Sequence, residues 1–159
     1  MSSLSRRADP IRLIAARLGQ GELKQLTNEP TVSEALRVSI HYHEEDAPNS
    51  VATLRRGHGD DCQLQVVYDK APKPVKFEFE VAVDTYRELM TAIRQAKFDT
   101  LDDEENLPYF GVDMWLIERV AGSFYHDIVL CPTSARGHHR ELVLAIKELL
   151  PQSVRKGAG

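Results

Sequence analysis

The sequence predicts an α+β domain: an antiparallel four-strand meander plus a C-terminal hairpin, with helices packed on one face, in the order α-β-β-β-β-α-β-β-α. Three observations carry this expectation. Apolar and polar residues alternate at period two in successive short segments between residues 36 and 83, with turn sequences between them. Helical spacing occurs before, between and after the strand runs and never in regular βα alternation, which is the pattern of an α+β fold. A Gly122 turn then joins two further strand-like segments and feeds a closing helix.

Taken in order, Ile11, Leu13, Ile14 and Leu18 repeat at near-helical spacing, so a helix is expected from Pro10 to Leu18 with proline in its first turn. Gly19 and Gly21 interrupt the pattern, and Thr27 to Thr31 is a break around Pro30. Leu36, Val38, Ile40 and Tyr42 alternate with Arg37, Ser39, His41 and His43, the period of a strand with one buried face. After turn residues at 45–50, Val51 to Arg56 forms a second strand. Cys62, Leu64, Val66 and Tyr68 mark a third, and Val75, Phe77, Phe79, Val81 and Val83 the fourth, with Lys76, Glu78 and Glu80 facing water.

Thr85 and Glu88 have the spacing of a capping box, and Tyr86, Leu89, Met90 and Ile93 supply the apolar stripe of a helix ending near Phe98. Strands at 112–120 and 124–131 follow an acidic loop, and a last helix runs from Ala135 to Leu150, where Pro151 stops it. One domain over 10–151 is expected, with 1–9 and 152–159 as flexible tails. If the meander joins neighbours, the turns at 44–50 and 70–74 share one end of the sheet. The helix should then return the chain to that end, making the two acidic clusters neighbours.

Composition narrows the class. No apolar run approaches the length of a membrane span, and Arg12 and Arg17 break the stretch that would otherwise follow Arg6-Arg7, so neither a membrane helix nor a signal peptide is read. Cys62 and Cys131 have no CxxC partner, which points to reduced thiols and a cytoplasmic location. The net charge of −4 offers no field for nucleic acid, and a basic protein is the better-matched partner. No cofactor motif, nucleophile with a base, or phosphate loop can be assembled.

Four groups of residues bear on function. Glu118 and His126 oppose each other if Val120 pairs with Phe124, which also sets Leu116 against Ile128 and Met114 against Leu130. A shift by one would set Glu118 against Asp127, so the first register is expected. A Glu/His pair there would fix register rather than catalyse, since no third member is in view. His41 and His43 stand two apart on a strand beside Glu44, Glu45 and Asp46 and could reach one ion, the basis of a rival reading as a metal-assisted hydrolase. A His-x-His alone lacks the rest of a ligand pattern, so no metal is assigned. His138 and His139 open the last helix as a solvated turn or an anion contact.

The densest charge lies in Asp99, Asp102, Asp103, Glu104 and Glu105, which lack the spacing of a calcium loop and run into Tyr109 and Phe110. Acids beside aromatics suit a protein interface, in which charge speeds encounter and rings anchor the contact. With Glu44, Glu45 and Asp46 they form the expected partner-binding surface.

Asp113, Trp115, Glu118, Gly122, Tyr125, His126 and Pro132 give the chain from about Ala35 to Leu150 a resemblance to a small uncharacterised bacterial α+β family with a Trp-x-x-Glu, Tyr-His and Pro hairpin. Met114 stands where that family has Gly, and Ile117 where Leu is common. The family is similar to immunity proteins that neutralise bacterial toxins. That resemblance implies a binding protein, not an enzyme, that occludes a toxin or effector. The order of elements also resembles the homodimeric chaperones of type III secretion, which are protein binders too.

Overall fold

The computed structural model describes residues 8–105, 107–108 and 111–155. Among them six strands form one antiparallel sheet: β1 (Glu34–His41), β2 (Ser50–Arg56), β3 (Cys62–Tyr68), β4 (Val75–Glu80), β5 (Met114–Ala121) and β6 (Phe124–Leu130). Their spatial order is β4-β3-β2-β1-β5-β6. The expected meander therefore runs outward from β1, and the hairpin attaches on the other side of β1, making it a central strand. Helices α1 (Asp9–Arg17), α2 (Val83–Gln95) and α3 (Gly137–Leu149) complete the predicted order of elements. The capping box does not form: α2 starts at Val83 with Ala82 as its N-cap and no side-chain cap, so Thr85 is already inside the helix.

The helices occupy both faces of the sheet, not one. Leu36, Val38, Ile40, Leu54, Leu64, Ile117 and Ile128 pack against Leu89 and Ile93 of α2 and Leu142 and Ile146 of α3. On the reverse face, Val51, Val67, Leu116 and Val129 pack against Ile11, Ile14 and Ala15 of α1. Beside them, Ala35 and Val120 lie under Leu23 and Val32, where a 3-10 turn over Leu23–Asn28 crosses the sheet. The alternation in β1 misleads because Arg37 and Ser39 stand at the positions of a solvent face yet are 3% and 0% exposed. Packed layers cover both faces of β1, so its polar residues are covered as well.

Two further expectations are corrected. The connections Ile40 to Ser50 and Tyr68 to Val75 do share one end of the sheet, but α2 delivers the chain to the opposite end. There Asp99 meets Arg119, which also pairs with Glu34 at the start of β1. The acidic segment itself makes the return journey, along β6. The packed body also extends past 10–151. Ala8 is fully buried, residues Pro151–Val154 form a 3-10 turn, and the hydroxyls of Tyr42 and Tyr68 donate to the carbonyls of Val154 and Arg155 at 3.3 and 3.0 Å. Residues 1–7 and 156–159, expected as tails, lie outside the described residues.

β5 lies between β1 and β6. Ile117 is fully buried there, facing α2 and α3. Replacing it by alanine removes three carbons from a packed interior and should cost roughly 2–5 kcal/mol in urea denaturation; a loss under about 1 kcal/mol would contradict this placement.

Candidate functional site

The acidic segment 101–105 lies along β6 and satisfies its outer edge at Val129 and Cys131. Asp103 Oδ1 accepts the Val129 N–H at 2.8 Å, and Glu104 N–H donates to the Val129 carbonyl at 2.9 Å. Glu104 Oε1 accepts the Cys131 N–H and its Oε2 the Ser134 hydroxyl, both at 2.8 Å. Edge strands present unpaired backbone groups that invite association, and these two carboxylates occupy them. Asp99 pairs with Arg119 at 3.4 Å. Of the five acids grouped by sequence, Asp102 and Glu105 are the exposed ones. The segment is held from two more sides: His126 Nε2 lies 2.7 Å from the Leu101 carbonyl, and His139 Nε2 lies 2.7 Å from the Asp102 carbonyl. Tyr109 and Phe110 lie outside the described residues.

Glu44, Glu45 and Asp46 are exposed in the turn after β1. This turn is also pinned by side chains. Asn49 Oδ1 accepts the Tyr42 N–H at 2.9 Å, and Asp113 Oδ1 accepts the His43 N–H at 3.0 Å and sits 2.7 Å from His43 Nδ1. β1 ends at His41, so His41 and His43 do not share a strand face as the metal reading required. Among the described residues no three His, Cys, Asp or Glu side chains converge to hold an ion. His138 pairs with Glu141 at 2.8 Å within α3.

The hairpin takes the register that sequence reasoning rejected. Ala121 pairs with Phe124, so Glu118 faces Asp127 and Arg119 faces His126. Two residues form the turn, with Gly122 at a φ of +58°, the positive angle that a two-residue turn starting with glycine needs. Glu118 and His126 consequently lie on opposite faces: His126 sits edge-on to Phe98 with ring centres 5.3 Å apart, and the proposed Glu/His pair does not exist.

What makes the Glu118/Asp127 pairing tolerable is a buried network on the α1 face. Arg12 from α1 binds Asp127, and the Tyr125 hydroxyl donates to Glu118 at 2.5 Å with Asp127 Oδ2 at 3.2 Å. Arg37 pairs with Glu118 across the β1/β5 ladder and donates to Thr53 Oγ1 at 2.9 Å and the Gly21 carbonyl at 2.7 Å. Glu118 and Asp127 are 6% and 5% exposed, so like charges at this depth would repel strongly without those cations. Above the network, between α1 and the 3-10 turn, lies a cleft of about 100 Å³ walled by Ala15, Ala16 and Leu23 and floored by Arg37, Glu118 and Tyr125.

Burial first, and Glu118 second, push the Tyr125 phenol well above its ordinary range, so it stays protonated as a donor. Burial lowers Arg37 from its usual value while Glu118 works against that. Sequence reasoning missed the whole constellation, because Arg12 is 115 positions away from Asp127 and looked like one charge on an amphipathic helix. The Gly-Ser turn was the available signal, since glycine followed by serine favours a two-residue loop.

No protein-family model matches the chain, and a search among curated proteins finds no similar relative.

Two measurements check this geometry. Tyr125→Phe deletes the donor shared by two buried carboxylates and should cost roughly 1–3 kcal/mol; an unchanged urea midpoint would contradict the network. Burial also raises Tyr42 to about 12 and Tyr86 above its ordinary value. These folded values exceed the unfolded tyrosine value of about 10, so the folded state holds the protons more tightly. That stability is fully present below the unfolded value and is lost as pH rises through it towards the folded one. Urea midpoints should fall steeply above about pH 10, less steeply in Tyr42→Phe. Tyrosinate absorbance developing fully near the unfolded value while the chain remains folded would contradict it.

Proposed function

We propose that the chain is a protein-binding module, most specifically an immunity or inhibitor protein that neutralises a bacterial toxin or effector by covering a basic surface. The observation supporting this reading is that both acidic segments are fixed in place by side chains. Asp103 and Glu104 bind the backbone of β6, while Asp113 and Asn49 bind the backbone after β1. Asp102, Glu105, Glu45 and Asp46 are thereby exposed on an ordered backbone. A surface already ordered has less conformational entropy to lose on association, and fixed charge speeds encounter with an oppositely charged partner. Fixed backbone also distinguishes these acids from an ordinary solvated charge run.

Reversing the charge of Glu45, Asp46, Asp102 and Glu105 together, while leaving Asp103 and Glu104 to hold the loop, should slow association with the basic toxin or effector that the chain covers. At low salt the rate constant should fall by roughly tenfold or more, and the difference should shrink as salt is added. An association rate that is unaffected at low salt sinks the assignment of this surface.

A further inference from the structure

The two edges of the sheet differ in how their backbone is covered. On β6 the N–H and carbonyl of Val129 and the N–H of Cys131 are taken by the segment 101–105. β4 ends the strand order on the other side, and among the described residues no further strand pairs with it. Val81 N–H donates to the Cys62 carbonyl at 3.0 Å, which fixes the phase of the ladder. Val75, Phe77 and Phe79 therefore direct their backbone groups to β3, and Lys76, Glu78 and Glu80 direct theirs outward. Their side chains divide in the same rhythm. Phe77 and Phe79 are half-buried against the core under α2 and α3, while Lys76, Glu78 and Glu80 are exposed on the reverse face.

We propose that β4 is a homodimerisation edge: two copies pair antiparallel about a two-fold axis through Phe77, joining their sheets into one. In this register Lys76 lies opposite the partner's Glu78, Phe77 opposite the partner's Phe77, and Val75 opposite the partner's Phe79. Outward backbone groups meet outward groups, so Lys76 and Glu78 each exchange both N–H and carbonyl bonds with the partner strand. Pairing the other way, with the axis through Glu78, also matches the backbone but sets Glu78 against the partner's Glu78. A one-residue slip would mix charged and aromatic side chains on each face. The axis through Phe77 thus brings two unlike charge pairs together and no like pair, and it covers aromatic surface that the monomer leaves half exposed. Charges on an edge strand usually repel other strands; here their order makes the strand complementary to its own copy. Pro74 falls opposite the partner's Glu80 and, having no N–H, ends the ladder.

Sedimentation velocity of the full chain over a concentration series tests this directly. A reversible dimer is expected. K76E and E78K should each weaken it by roughly tenfold or more, because two-fold symmetry applies each substitution twice. The exchanged variant K76E/E78K should restore it to within about threefold, since its pairs are again unlike. E78P, which removes an N–H that β3 does not use, should abolish it with the monomer still folded by circular dichroism. A chain that stays monomeric throughout, single reversals without effect, an exchange as weak as the singles, or a dimer surviving E78P would each overturn the proposal.

Discussion

Arg12 reaches from α1 onto Asp127 of β6, and Arg37 of β1 lies across from Glu118 of β5, so the two carboxylates facing each other in the hairpin each have a guanidinium in reach. They belong to a row that crosses all six strands: Glu78, Gln65, Thr53, Arg37, Glu118 and Asp127 are successive cross-strand neighbours. Apolar residues flank this row where the covering segments lie, Val51, Leu116 and Val129 under α1 and Ala35 and Val120 under the 3-10 turn. The polar row therefore falls between the two covering segments. It places α1, because Arg12 must reach Asp127, and it places the chain at Gly21, whose carbonyl Arg37 binds. Register, second layer and cleft all follow from one line of compensated charge.

Carboxylates do a different job at the edge. Asp103 and Glu104 substitute for a seventh strand by accepting backbone N–H groups of β6, which is what turns an acidic loop into an ordered part of the surface. Hydrogen bonds to an ionised acceptor are among the stronger ones available. The same anchoring leaves Asp102 and Glu105 exposed, so the composition that makes the loop look like a solvated run divides into structural and presented halves. Edge protection and exposed charge use neighbouring residues of one segment.

The order of elements was legible in the sequence because period-two alternation in Cys62–Tyr68 and Val75–Phe79 and the stripe of Leu89 and Ile93 are local signals. The placement of α1 was not. Arg37 and Ser39 carry the polarity of a solvent face, and their burial depends on α1 and on Leu23, contacts that no local pattern records. Register failed for a related reason. Repulsion between Glu118 and Asp127 was correctly anticipated, but the cations that cancel it come from another strand and another helix. The acidic loop was recognised as exceptional from charge density alone, whereas its division of labour depends on which carboxylates meet the backbone of Val129 and Cys131.

The central claim is that the Arg12 ion pair makes the hairpin register possible. A double-mutant cycle isolates it: Arg12→Leu, Asp127→Leu and the two together, each unfolded in urea. Breaking one partner leaves a buried charge uncompensated, whereas removing both does not, so a coupling energy of about 2 kcal/mol or more is expected. Coupling within about 0.5 kcal/mol of zero, which is the additivity of independent sites, would contradict the account.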